Sequence, residues 1–144
     1  MIRFLQVNTA KNIPNVKAKT ELVNGAPITF DHATLEVSKA TGACAYLVKA
    51  AENYDGLNAV ILPSEGDFEK IAVGEICHAV PVYRGERYAT TEVEGSLTAG
   101  QRIAAATGKF AASESGDWYY VGEYNDPTGK TMFEIVYDPA TADA

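Results

Sequence analysis

A chain of 144 residues, 47% hydrophobic and 22% charged, can bury a core of its own and is too apolar for global disorder. Apolar runs such as Ala59-Val60-Ile61-Leu62 fall far short of the ~20 residues a membrane-crossing helix needs, so no membrane partner is expected. A net charge of −7 argues against nucleic acid as a partner, because phosphates must be neutralised by a basic face.

The charge is unevenly spread. Residues 1–20 carry Arg3, Lys11, Lys17 and Lys19 and no acid, so this segment is +4 and the remainder must be −11 against the total of −7. Pro14 disfavours a helix, and Asn8, Asn12 and Asn15 favour turns. Residues 1–17 therefore read as an extended N-terminal arm, and residues 18–144 as a single β-rich domain. Ile2, Phe4, Leu5 and Val7 need an apolar surface to cover. Burying each contributes roughly 1.5–3 kcal/mol, while ordering costs about 1–2 kcal/mol per residue. The balance predicts an arm used for binding more than for folding, with Arg3, Lys11 and Lys17 meeting acidic groups of a partner. The start of the chain has no apolar leader region, so no secretory leader is expected. Cys44 and Cys77 are too few for a disulfide scaffold and read as buried free thiols in a reducing compartment.

Asn24-Gly25 lies between two β-prone segments, 20–23 and 27–30, and predicts a hairpin, since Asn-Gly tolerates the positive φ of a type I′ turn. Pro27 suits the start of a strand. Leu35-Glu36-Val37 reads as a short strand. Residues 43–54 fit either a helical stripe or a strand, and the alternation of Cys44, Tyr46 and Val48 favours the strand. Residues 57–62 read as a buried strand, and Ser64-Glu65-Gly66-Asp67 as a helix start reaching Phe68 and Ile71 until Gly74.

From Gly74 onward every segment reads as β. Turns are predicted at Arg84-Gly85-Glu86, around Ser96-Leu97-Thr98-Ala99, at Thr107-Gly108 and at Asp126-Pro127-Thr128-Gly129. Strands are predicted between them, including the aromatic run 117–124 and the alternating run 131–137. The last residues, 139–144, are small and are expected to fray. Short strands at this spacing predict an all-β fold, a small barrel or sandwich with at most one or two short helices.

Few residues suggest chemistry. Thr128-Gly129-Lys130-Thr131 resembles the end of a phosphate-binding loop, but Tyr124 stands where that motif requires glycine. Cys77 and His78 are adjacent, so a strand would point them to opposite faces, and His32 is remote. No Cys or His spacing fits zinc, and no serine has a nucleophile-elbow setting. No catalytic residue, metal site or cofactor is expected. The aromatics Trp118, Tyr119, Tyr120 and Tyr124 are concentrated in one segment. Consecutive aromatics in a strand face both ways, so Trp118 and Tyr120 are candidates for a binding surface, with burial in the core as the alternative.

The stretch Gly74-Glu75, Val80-Pro81-Val82, Gly85-Glu86-Arg87-Tyr88-Ala89-Thr90-Thr91-Glu92, Gly95-Ser96-Leu97-Thr98-Ala99-Gly100-Gln101 and Gly108-Lys109-Phe110 has a glycine-spaced cadence of short strands. In this it resembles the capsid decoration, or cement, proteins of tailed bacteriophages, over residues 74–137. The resemblance implies a non-enzymatic virion protein, made in the host cytoplasm, that binds the capsid exterior and bridges major capsid protein subunits. It also implies a homotrimer. No catalytic residues carry over. Two other readings stay open: a carbohydrate-binding β-domain using Trp118, Tyr119 and Tyr120, and a small hydrolase whose site the fold assembles.

Overall fold

The computed structural model describes residues 2–7, 13–50 and 70–139. Among them the fold is all-β, with thirteen strands and no helix. The strands are β1 (Ile2–Gln6), β2 (Ile13–Ala18), β3 (Leu22–Val23), β4 (Pro27–Asp31), β5 (Glu36–Lys39), β6 (Tyr46–Ala50) and β7 (Lys70–Ile71). The second half adds β8 (Ile76–Pro81), β9 (Arg87–Thr90), β10 (Arg102–Ala106), β11 (Lys109–Ala112), β12 (Trp118–Asn125) and β13 (Thr131–Tyr137).

Five strands close a barrel in the order β2-β5-β4-β6-β8. The β2–β5 pair is parallel and the others are antiparallel. Side chains alternate along each strand, so every second residue points inward. Val16 and Ala18 of β2, Ile28 of β4, Val37 of β5, Val48 of β6, and Cys77 and Ala79 of β8 fill the interior. Leu22 and Ile71, paired in the two-stranded β3–β7 sheet, join the same core.

The remaining strands form a six-stranded antiparallel sheet in the order β1-β9-β13-β12-β10-β11. It packs on the barrel through a shared wall. In β6 and β8, Val48 and Ala79 point into the barrel, while their neighbours Leu47 and Val80 join the core under the sheet. One antiparallel strand pair, by its alternation, thus serves two cores. The second core is aromatic: the Trp118 ring lies 5.0 Å from Phe110, 5.1 Å from Tyr137 and 6.5 Å from Tyr88, all edge-on.

Local turn chemistry holds where it was expected. Thr107 and Gly108 both take positive φ, 48° and 85°, as a two-residue type I′ turn between β10 and β11 requires. Residues 127–129 turn into β13 with no phosphate-loop geometry, and 46–50 are strand. Asn24-Gly25 also turns, with Gly25 at φ 94° and the Ala26 amide bonded to the Val23 carbonyl. Its flanking strands do not pair with each other, however. β3 pairs with β7, and β4 with β5 and β6. The hairpin expectation is corrected because Leu22 pairs with Ile71 of β7, and both side chains are buried in the barrel core. Ile71 is in a strand, not the end of a helix. The expectations for 51–54, 57–62, 64–68 and 140–144 lie outside the described residues.

The described part of residues 1–17 is not a separate arm. β1 pairs with β9 from Ile2↔Thr90 to Gln6↔Arg87, and β2 closes the barrel between β5 and β8. Ile2 and Val16 are buried in the two cores. Backbone pairing with distant strands supplies the gain that a count of four apolar side chains could not.

Candidate functional site

The residues expected to face a partner divide sharply. Ile2 is buried, and Phe4 and Val7 pack against the aromatic core. The Phe4 ring meets Tyr88 edge-on at 5.4 Å, and Lys49 Nζ lies 5.7 Å above it. Leu5 covers Ala89 and Met132 on the opposite face of the sheet, beside Tyr124. Arg3 donates from Nε to Asp126 Oδ1 at 2.7 Å and from Nη2 to Oδ2 at 3.3 Å. Arg3 and Lys17 are exposed, Lys17 on a barrel strand, and Lys11 lies outside the described residues.

The aromatic candidates are corrected in the same way. Trp118 is fully buried, and its Nε1 donates to the Cys44 carbonyl at 2.9 Å. Tyr120 is buried as well. Tyr119 is half-buried on the other face, with the Arg102 guanidinium 4.3 Å above its ring. Trp118 and Tyr120 point to the barrel side because they stand in register with Tyr137 and Ile135 of β13, which line the same core.

The thiols are separated and quiescent. Cys44 lies with Ala40 and Ala105, and its Sγ donates to the Tyr46 carbonyl at 3.0 Å. Cys77 is in the barrel interior. Burial pushes both thiols up to about 11, away from nucleophile chemistry at neutral pH. His32 stacks edge-on against Phe30 at 4.5 Å, a packing role. His78 is on the outer face of β8, opposite Lys49 of β6. Among the described residues no three His, Cys, Asp or Glu side chains are grouped to hold a metal ion.

Buried carboxylates are used structurally. Glu86 accepts from the Tyr83 amide at 2.8 Å and from the Tyr88 hydroxyl at 3.2 Å. Burial and the Glu86 charge push the Tyr88 hydroxyl well above its usual range. Asp126 accepts from Arg3, from the Thr128 amide at 3.1 Å and from the Thr128 hydroxyl, which holds its carboxyl well below the usual range.

Among the described residues, the outer barrel face around Lys17 is one exposed surface. The Lys17 amide donates to the Leu35 carbonyl at 3.0 Å, and Lys17 stands in register with Glu36 on one side and Ile76 on the other. Leu35 is 51% exposed, Ile76 44% and Val73 67%, which makes this the main apolar exposure near a charged strand. A shallow polar cleft of about 210 Å³ adjoins it, lined by Lys19, Thr29, Asp31, Thr34, Glu36 and Ser38. Asp31 spends one carboxylate oxygen on the Ala33 amide at 2.9 Å, which lowers its pKa.

The chain matches no family model, no curated protein and no solved structure.

The candidate surface therefore rests on geometry. Leu35 and Ile76 had no separate signal as surface residues. Leu35 reads in the sequence as the first residue of a strand; it stands instead in the turn before β5, at φ 57°.

Proposed function

We propose that the protein is a virion structural protein that binds the outer surface of a bacteriophage capsid and bridges neighbouring major capsid protein subunits. The observation that carries this reading is the form taken by residues 74–137. They run as β8 to β13, strands of four to eight residues, with Gly74, Gly85, Gly95, Gly100, Gly108 and Gly129 in the segments that precede or connect them all at positive φ. The resemblance to decoration proteins implies glycine-punctuated short strands around a small barrel; of the strands in this stretch β8 belongs to the barrel and β9 to β13 to the six-stranded sheet packed on it. The N-terminal strand, tied into the body by pairing and by Arg3, makes a unit in which load passes through many backbone hydrogen bonds. The sugar-binding alternative required an exposed Trp118, and that ring is interior.

The test is co-sedimentation of purified protein with expanded phage capsids lacking their decoration protein. The reading expects saturable binding at a fixed ratio to capsid subunits and a higher melting temperature of the loaded shell. Failure to bind expanded capsids of the phage that encodes the chain would sink it.

A further inference from the structure

Asn24-Gly25 has a chemistry besides its turn. Asparagine is thermolabile, and most so before glycine, which has no Cβ to shield its backbone nitrogen. That nitrogen attacks Cγ of the asparagine. A new C–N bond forms, the bond from Cγ to the side-chain nitrogen breaks, and ammonia leaves with the backbone amide proton. Water then opens the succinimide ring to aspartate or to isoaspartate. We propose that Asn24-Gly25 is a deamidation site that the native fold holds shut, so that it reacts only in molecules whose barrel has parted from the six-stranded sheet.

Both reacting groups are engaged. The Gly25 amide donates to the Val48 carbonyl of β6 at 2.8 Å, and Gly25 is buried. Attack requires base to take that proton, which here lies on a carbonyl inside the protein. The Asn24 side chain is held from the other side, since its Oδ1 accepts from the Ala50 amide at 3.1 Å. The Gly25 carbonyl accepts from the buried Thr90 hydroxyl of β9 at 2.9 Å. Gly25 is thus tied through its nitrogen to the barrel and through its oxygen to the sheet. Freeing the nitrogen removes the donor from a buried carbonyl, so the reaction waits for an opening that admits water.

The two products differ when the fold recloses. Aspartate keeps an oxygen for the Ala50 amide. Isoaspartate inserts one more carbon between residue 24 and the Gly25 nitrogen, so the bonds to Val48 and Thr90 no longer fall in register. An opening of the junction is thereby recorded in covalent form. The inference does not depend on the capsid reading.

Trypsin releases residues 20–39 as one peptide in which Asn24 is the sole asparagine, so its conversion is read by mass. The full chain is incubated at mildly alkaline pH in buffer, in stepped urea below the unfolding transition, and in urea that unfolds it. Conversion in buffer should be at least about a hundredfold slower than in the unfolded chain, and it should rise with each urea step. Thr90→Val removes the hydroxyl from the Gly25 carbonyl and should speed conversion of the folded protein at least about fivefold. Thr90→Ser keeps the hydroxyl and should react near the parent's rate. If Thr90→Val does not fold, the urea series decides alone. Conversion in buffer less than about a hundredfold slower than in the unfolded chain, a slow conversion indifferent to urea, or a folded Thr90→Val that reacts at the parent's rate overturns the proposal.

Discussion

Arg3 and Asp126, 123 positions apart, form a two-pronged ion pair that fastens the first strand to the turn between β12 and β13. The Asp126 side chain is shielded from solvent while Arg3 remains 44% exposed. Together with the β1–β9 ladder, the pair holds β1 against the body of the fold.

Its contribution should depend on acid in a defined direction. The folded carboxyl titrates below its ordinary 3.8, through the Arg3 and Thr128 hydrogen bonds. The stabilisation is fully present above that ordinary value and is lost as pH falls through the lower folded one. We expect Asp126→Asn to lower the urea midpoint at pH 7 and the gap to the parent to close as pH falls below 3.8. A gap that stays constant into acid would assign the effect to packing.

Removal of residues 1–17 should prevent folding. The deletion takes away one barrel strand and one sheet strand, including Ile2 and Val16 from the two cores. Each buried side chain is worth roughly 1.5–3 kcal/mol before the lost backbone pairing, against a total stability of about 5–15 kcal/mol. Circular dichroism of the truncated chain should show no cooperative melt. A melting temperature equal to the parent's would restore the arm-and-body view.

Trp118, the sole tryptophan, reports directly on the interior. Its emission should be blue-shifted, resist quenching by iodide and stay unchanged when soluble sugars are added. Trp118→Phe leaves the Cys44 carbonyl without its donor and should cost about 1–3 kcal/mol in a urea titration. Sugar-dependent quenching in the native protein would contradict the buried position.

Cys44 and Cys77 should be unreactive toward an aromatic disulfide reagent at pH 8 and should release two equivalents after denaturation. Burial raises both folded thiols to about 11 from an ordinary 9.0. A raised folded pKa contributes stability that is complete below the unfolded value and disappears as pH rises through the folded one. We therefore expect stability to decline from pH 9.0 towards about 11, and less so in a Cys77→Ala variant. Rapid labelling of the native protein would show that the core opens readily.

The amino-acid sequence by itself determined the elements made from neighbours. Thr107-Gly108 turns because glycine accepts positive φ, and residues 131–137 form a strand with Phe133, Ile135 and Tyr137 on one face because side chains alternate. These outcomes depend on a few consecutive residues, so the all-β class was legible. Partners distant in the chain decided the rest. Val23 and Pro27 flank the same turn, yet β3 and β4 join different sheets, because β7 and β6 compete for them. Ile2 and Phe4 looked like ligands for another molecule until β9 supplied their ladder. Trp118 and Tyr119 are adjacent and both aromatic, and only the packing of sheet on barrel determines which of the two is sealed inside. Burial is a property of what lies across the interface, and a linear pattern of apolar residues does not encode which surface that will be.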